Sequence, residues 1–286
     1  MLTTFDAGAG RTLSYRRRGS GPLVVCLPGG PGFDPDAYYA PLDLPGHELL
    51  IFAPRGVGAS TSPATPDGFR MAGYVEDVES LRVHLDADAL TLYGHSHGGC
   101  VALAYAQRSP EHVERMALSA APPRMDNQYQ AAAAEVQRRF AEAVVDGAAR
   151  LAAAEQANAA LRADIDADER RRQLQILMAR YVVRHGDAET AYLERLCTAP
   201  MNWAPVEPMY AEMLDGLDLL RDAAAVTAPT LVLAGELDVV VPASAMRLLA
   251  DALPNAHYHE FAGVGHFPEV EAAEAFSSTL GRFLAK

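Results

Sequence analysis

The chain has 286 residues, half of them hydrophobic, and a formal net charge of −13. That length allows one large α/β domain with an insertion, or two small domains, with enough apolar side chain for a substantial core. The acidic balance argues against nucleic acid or an anionic membrane as partner, no apolar run approaches a membrane span, and residues 1–6 lack the basic-then-apolar pattern of a signal peptide.

Taken in chain order, strands are expected at residues 13–17, after a turn at 8–10, and at 22–27, which ends in the loop Pro28-Gly29-Gly30-Pro31-Gly32. A strand at 48–53 leads into a second tight loop, Arg55-Gly56-Val57-Gly58-Ala59-Ser60. Residues 71–85 carry Val75, Val78, Leu81 and either His84 or Leu85 at helical spacing. The apolar run 89–93 precedes an alanine-rich helix at 98–107, and 113–119 reads as another strand. Residues 122–221 interrupt the alternation. They hold no convincing strand, much alanine, and Tyr129, Ala133, Val136, Phe140 and Val144 at helical intervals, with Gly186 as a helix stop and Asp187 as a new N-cap. Strand 230–234, helix 243–253, strand 257–261 and helix 272–284 complete the chain. Alternating strands and helices imply a mostly parallel sheet covered on both faces. The domain reading is a core of residues 1–121 and 222–286 with a helical lid, 122–221, inserted over the strand C-terminal ends, where open α/β sheets bind ligands; a helical domain packed elsewhere is the alternative.

Between the strand at 89–93 and the helix at 98–107 lies Gly94-His95-Ser96-His97-Gly98-Gly99. Strand, sharp turn and helix with serine at the bend is the pattern of a nucleophile elbow, in which small residues must stand two positions either side of the serine. The helix N-terminus behind it favours developing negative charge. A serine hydroxyl needs a base to take its proton, and the base needs an orienting acid. Asp238 falls in the loop after strand 230–234, and His266 in the glycine-flanked loop before the last helix, giving the order serine, acid, histidine. Glu236 is the rival acid, placed nearer the strand. The two backbone donors for an oxyanion are expected at His97 and Gly30.

The other histidines suit the base role less well. His95 and His97 are turn neighbours that cannot easily aim a ring back at Ser96, and His257 and His259 alternate along a strand. No carboxylate or cysteine pattern joins these pairs into a metal site, so the chemistry is expected to need neither metal nor cofactor. Cys26, Cys100 and Cys197 cannot all pair and read as buried free thiols of a cytoplasmic protein.

Over nearly its whole length the chain resembles the α/β-hydrolase superfamily, and within it the prolyl aminopeptidase (proline iminopeptidase) family of serine peptidases. That family carries His-Gly-Gly-Pro-Gly, then Asp-Gln-Arg-Gly-x-Gly-x-Ser, then Gly-Gly-Ser-Trp-Gly or a relative. This chain has the same glycine skeleton, but Pro28 stands for the histidine, Ala53-Pro54 for Asp-Gln, and the elbow has no tryptophan. The resemblance implies an α/β-hydrolase fold and a Ser96, Asp238, His266 triad. It implies that Glu207 occupies the place of a lid-side glutamate that holds a substrate's free α-amine, while Val239 stands where a second such carboxylate often follows the aspartate. Trp203 is expected either to line the pocket or to belong to the lid core, and Gly29 to lie against substrate.

The leading functional expectation is a serine hydrolase working through an acyl-enzyme, releasing an N-terminal aminoacyl group from a short peptide or small metabolite. An esterase, thioesterase or amidase for uncharged acyl groups is the enzymatic alternative, and a ligand-binding receptor with an idle triad is the alternative of another kind. The serine nucleophile speaks against epoxide hydrolase and dehalogenase chemistry, which use an aspartate on this fold. The oligomeric state is not legible.

Overall fold

The computed structural model describes residues 1–285. Eight strands form one sheet: β1 (Leu2–Asp6), β2 (Thr12–Gly19), β3 (Leu23–Leu27), β4 (Glu48–Ala53), β5 (Leu90–His95), β6 (Val113–Ser119), β7 (Thr230–Gly235) and β8 (Ala256–Phe261), in the order β1-β2-β4-β3-β5-β6-β7-β8. The pairs β1/β2 and β2/β4 are antiparallel, and every later pair is parallel. The helices are α1 (Pro35–Tyr38), α2 (Met71–His84), α3 (His97–Arg108), α4 (Asn127–Ala143), α5 (Gly147–Ala160), α6 (Ala167–Met178), α7 (Asp187–Thr198), α8 (Val206–Leu214), α9 (Ala243–Ala252), α10 (Pro268–Glu271) and α11 (Ala273–Leu284).

The central strands are near-continuous apolar runs because both faces are covered. Alternation along each strand then sorts side chains into two cores. Val25, Leu27, Leu92, Leu118 and Val232 face one core, closed by α2, α3 and α9. Val24, Cys26, Tyr93, Ala117, Leu231 and Leu233 face the other, closed by α7 and α11. The strand order reverses between β3 and β5, so the loops after these two strands open side by side at the sheet's C-terminal edge. This is where open α/β sheets take ligands.

The sequence reading omits β1, α1 and α10. β1 is a five-residue edge strand in which only Phe5 is buried, too little alternation to read alone. The helix expected over 272–284 starts earlier as α10 and breaks at Ala272, whose φ/ψ of −136°/41° is not helical. Five helices, α4 to α8, stand between β6 and β7. Asp187 is the first residue of α7 instead of its cap, which is Gly186. The carboxylate still favours the positive end of the helix dipole. All three cysteines are free and buried. No helix among the described residues is long and apolar enough to cross a membrane.

Candidate active site

Ser96 sits between β5 and α3 with φ 52° and ψ −122°, a region non-glycine residues seldom enter. Its N–H donates to the Ser119 carbonyl on β6 at 2.8 Å, and its carbonyl accepts from Gly99 and Cys100 at 2.9 and 3.2 Å. These bonds hold the turn. A Cβ on Gly94 would stand 2.4 Å from the Gly98 carbonyl oxygen, and one on Gly98 would stand 1.9 Å from that of Leu27. Small residues two positions either side of the serine are therefore a packing requirement here. No hydrogen bond ties the Ser96 hydroxyl to His266 among the described residues; such bonds often tighten only when substrate binds.

His266 is fixed from three sides. Its Nδ1 lies 2.8 Å from Asp238 Oδ2, its N–H donates to the Tyr181 carbonyl at 2.7 Å, and its carbonyl accepts from His95 Nε2 at 2.7 Å. Asp238 is wholly buried, and its Oδ1 accepts the N–H groups of Val240 and Val241 at 2.8 and 2.9 Å. The carboxylate is thereby aimed at Nδ1, which donates, leaving Nε2 as the imidazole lone pair. Glu236 points elsewhere: Arg139 and the Gly263 N–H hold its two oxygens.

Ser96, His97, Gly30 and His266 wall one small cavity of ≈ 90 Å³. His97 opens α3, so its N–H has no intrahelical partner. Burial pushes its imidazole down to about 4, so the ring stays neutral beside the serine. Next to this pocket lies a second cavity of ≈ 980 Å³, and Gly30, Tyr181, Tyr210 and Val240 are among the residues common to both walls. Glu207 is exposed and lines the outer cavity only, as does Trp203. No carboxylate lines the inner pocket. Gly29 lines neither cavity; the space a Cβ would take is filled by the Tyr38 hydroxyl at 2.0 Å and Ser96 Cβ at 3.0 Å. It is a spacer behind the serine.

The sequence profile of the alpha/beta hydrolase fold matches residues 22–273. The chain belongs to the α/β-hydrolase fold family. This α/β hydrolase is 28% identical to a proline iminopeptidase of Clostridium botulinum over 279 residues, covering 93% of this chain and 90% of the relative. A hydrolase structure from Pseudomonas aeruginosa superposes with a TM-score of 0.74 at 25% identity, covering 100% of this chain and 98% of the other. A proline iminopeptidase structure from Mycobacterium smegmatis gives 0.76 at 21% identity, covering 100% and 98%, which shows the shared fold. By family and relatives the activity is that of a hydrolase, and the chain resembles prolyl aminopeptidases.

In the wall of the inner pocket and behind it lie residues that the sequence does not single out. Tyr38, on α1, donates its hydroxyl to His95 Nδ1, so His95 must carry its proton on Nε2, which donates to the His266 carbonyl. Burial, first of all, holds His95 well below the usual imidazole range, with His266 adding to the shift. The His95 ring stacks on Phe267 at 5.3 Å and meets His266 edge-on at 4.8 Å. The sequence places His95 in the elbow, but its role depends on a tyrosine 57 positions away. Farther in, Glu269 is buried with both carboxyl oxygens unpartnered, and burial raises its carboxyl to about 8.

Proposed function

We propose that this α/β hydrolase is a serine hydrolase that works through an acyl-enzyme on small esters or amides with a short, uncharged acyl group. The observation that carries the reading is the sharing of one 90 Å³ pocket by a strained Ser96 and the Asp238-braced His266. His266 Nε2 takes the Ser96 proton as Oγ attacks the carbonyl carbon. The amides of Gly30 and His97 stabilise the oxyanion, a contribution of about 10²–10³ in rate for each such donor. The carbon–leaving-group bond breaks and the leaving group departs with the proton from His266, leaving acyl-Ser96. Water, deprotonated by His266, then attacks the acyl carbon; Ser96 recovers its proton and the acid leaves. Asp238 keeps the imidazole in the required tautomer and stabilises its cation. In this reading residues 122–221 form a lid on a core of 1–121 and 222–286, enclosing a small substrate.

The size of the pocket and its lack of a carboxylate favour a neutral acyl group. The second reading, release of an N-terminal aminoacyl group with Glu207 as the amine's partner, draws on the proline iminopeptidase relative and on the place of Glu207 in the adjoining cavity. Turnover of alanyl and prolyl arylamides against their N-acetyl counterparts and 4-nitrophenyl acetate, with Ser96→Ala as blank, decides between them. Equal or faster turnover of the uncharged compounds supports the neutral acyl group. A free-amine preference that Glu207→Gln reduces supports the aminopeptidase. Absence of both turnover and phosphonate labelling at Ser96 rules out a serine hydrolase.

A further inference from the structure

The outer cavity carries a charge opposite to that of the chain. Its wall holds Arg162, Arg170 and Arg180 against the single carboxylate of Glu207, in a protein with 37 acidic and 24 basic residues. Acidic partners are plentiful elsewhere, where Arg138, Arg139 and Arg172 each pair with a glutamate. None of the three cavity arginines forms an ion pair among the described residues. Arg170 lies over the Trp203 ring at 5.3 Å. Arg180 lies over Tyr181 at 5.7 Å, and its Nε is buried without a hydrogen-bond partner. Tyr181 in turn meets His266 edge-on at 5.1 Å. Tyr210, common to both cavities, feels two of these cations. Tyr181, first, pushes the phenol of this exposed residue up to about 12, and Arg180 and Arg162 pull the other way.

We propose that the outer cavity is an anion-binding leaving-group chamber, and that the substrate joins a short acyl group at Ser96 to a larger group whose carboxylate is held by Arg180 and Arg162. The size ratio of the cavities assigns the large group to the outer one. A half-buried guanidinium whose buried Nε–H has no partner is the group best matched to a carboxylate. The assignment of ends rests on the acyl-enzyme reading above; the anion site itself does not.

The test separates the two. In Ser96→Ala protein, calorimetry compares 3-(4-hydroxyphenyl)propanoate with its primary amide, which differ in charge far from the phenol. The acid is expected to bind about tenfold tighter or more, and Arg180→Gln to bring the two within about threefold. Arg162→Gln, at an exposed position, is expected to reduce the preference and serves if Arg180→Gln does not fold. Equal affinities, or a preference that survives both substitutions, would overturn the anion site. The acetate esters of the same two phenols are then given to the unsubstituted enzyme. Faster turnover of the acid ester supports the chamber as part of the active site. Acid-selective binding with no turnover of either ester and no phosphonate labelling at Ser96 would leave the anion site standing and sink the acyl-enzyme reading.

Discussion

Asp238→Asn changes one atom at the centre of the site, and the structure fixes what that atom must do. Oδ1 accepts two backbone N–H groups, from Val240 and Val241, and Oδ2 faces His266 Nδ1 at 2.8 Å. An asparagine has one acceptor oxygen. Turning its NH₂ towards Val240 and Val241 would leave two backbone donors unpaired beside a wholly buried side chain, at up to about 1–3 kcal/mol each. The amide oxygen therefore stays with the backbone and the NH₂ faces His266. Nδ1 must then accept, which moves the imidazole proton to Nε2, the atom that has to receive the Ser96 proton. The expected loss is about 10³–10⁴ in kcat, or roughly 4–5.5 kcal/mol of barrier, with KM within a few-fold. Hydrolysis of 4-nitrophenyl acetate measures the rate, and ¹⁵N chemical shifts of His266 report the tautomer. Glu236→Gln, whose parent faces Arg139 and Gly263, is the control and should change kcat less than threefold. An Asp238→Asn enzyme within tenfold of the parent, or one whose Nδ1 remains protonated, would refute the assignment of acid and base.

Three further outcomes follow from the surroundings. Glu269 is neutral in the fold up to about pH 8 but ionises near 4.5 when unfolded, so the folded state holds the extra proton between those values. Stability should fall as pH rises from about 5 to 8, by up to a few kcal/mol, and Glu269→Gln should flatten that slope in thermal melts at several pH values; an unchanged slope would clear Glu269. Tyr38→Phe strands the His95 Nδ1 acceptor and should cost about 1–3 kcal/mol in denaturant titration, with a reduced kcat as the His266 backbone loosens; a variant as stable as the parent would mean that His95 finds another donor. Gly98→Ala drives a methyl into the Leu27 carbonyl oxygen, which neither the strand nor the helix can vacate. Loss of soluble protein or of phosphonate labelling at Ser96 is expected, and normal labelling would show that the elbow has more room than its geometry allows.

Local chemistry made much of this molecule readable in advance. The Gly94-to-Gly99 pattern carries its own explanation, since a strand that turns into a helix at the single residue Ser96 leaves no room for a side chain at Gly94 or Gly98. The placing of Asp238 and His266 in the loops after β7 and β8 was legible because β7 is a continuous apolar run and β8 is closed off by the glycines at 263 and 265, and topology delivers such loops to one edge of the sheet. β1 was not, because an edge strand with one buried residue has no period to detect. Nor was α1: a four-residue helix opened by the Asp34 cap and Pro35 is too short for periodicity, yet it carries the tyrosine that sets the His95 tautomer.

What resisted reading is specificity, for a physical reason that Glu207 and Arg180 illustrate together. Both belong to the stretch between β6 and β7, where apolar spacing tells which helix face is inward but not which inward face meets the pocket. Glu207 invited attention as a carboxylate placed like one that holds an amine, yet it stands in the outer cavity, away from Ser96. Arg180 drew none, because an arginine after the amphipathic run of α6 reads as solvated surface. Only the assembled fold shows that its Nε is buried without a partner and that it rests on the ring beside His266. A charge gains meaning for recognition when the fold removes its water and withholds a counter-ion. Both conditions are set by contacts distant in sequence: Tyr181 is brought to His266 by the bond between its carbonyl and the His266 N–H. The polarity of the chamber is therefore a tertiary property, and substrate charge selection should track Arg180 and Arg162 more closely than the glutamate that the family pattern highlights.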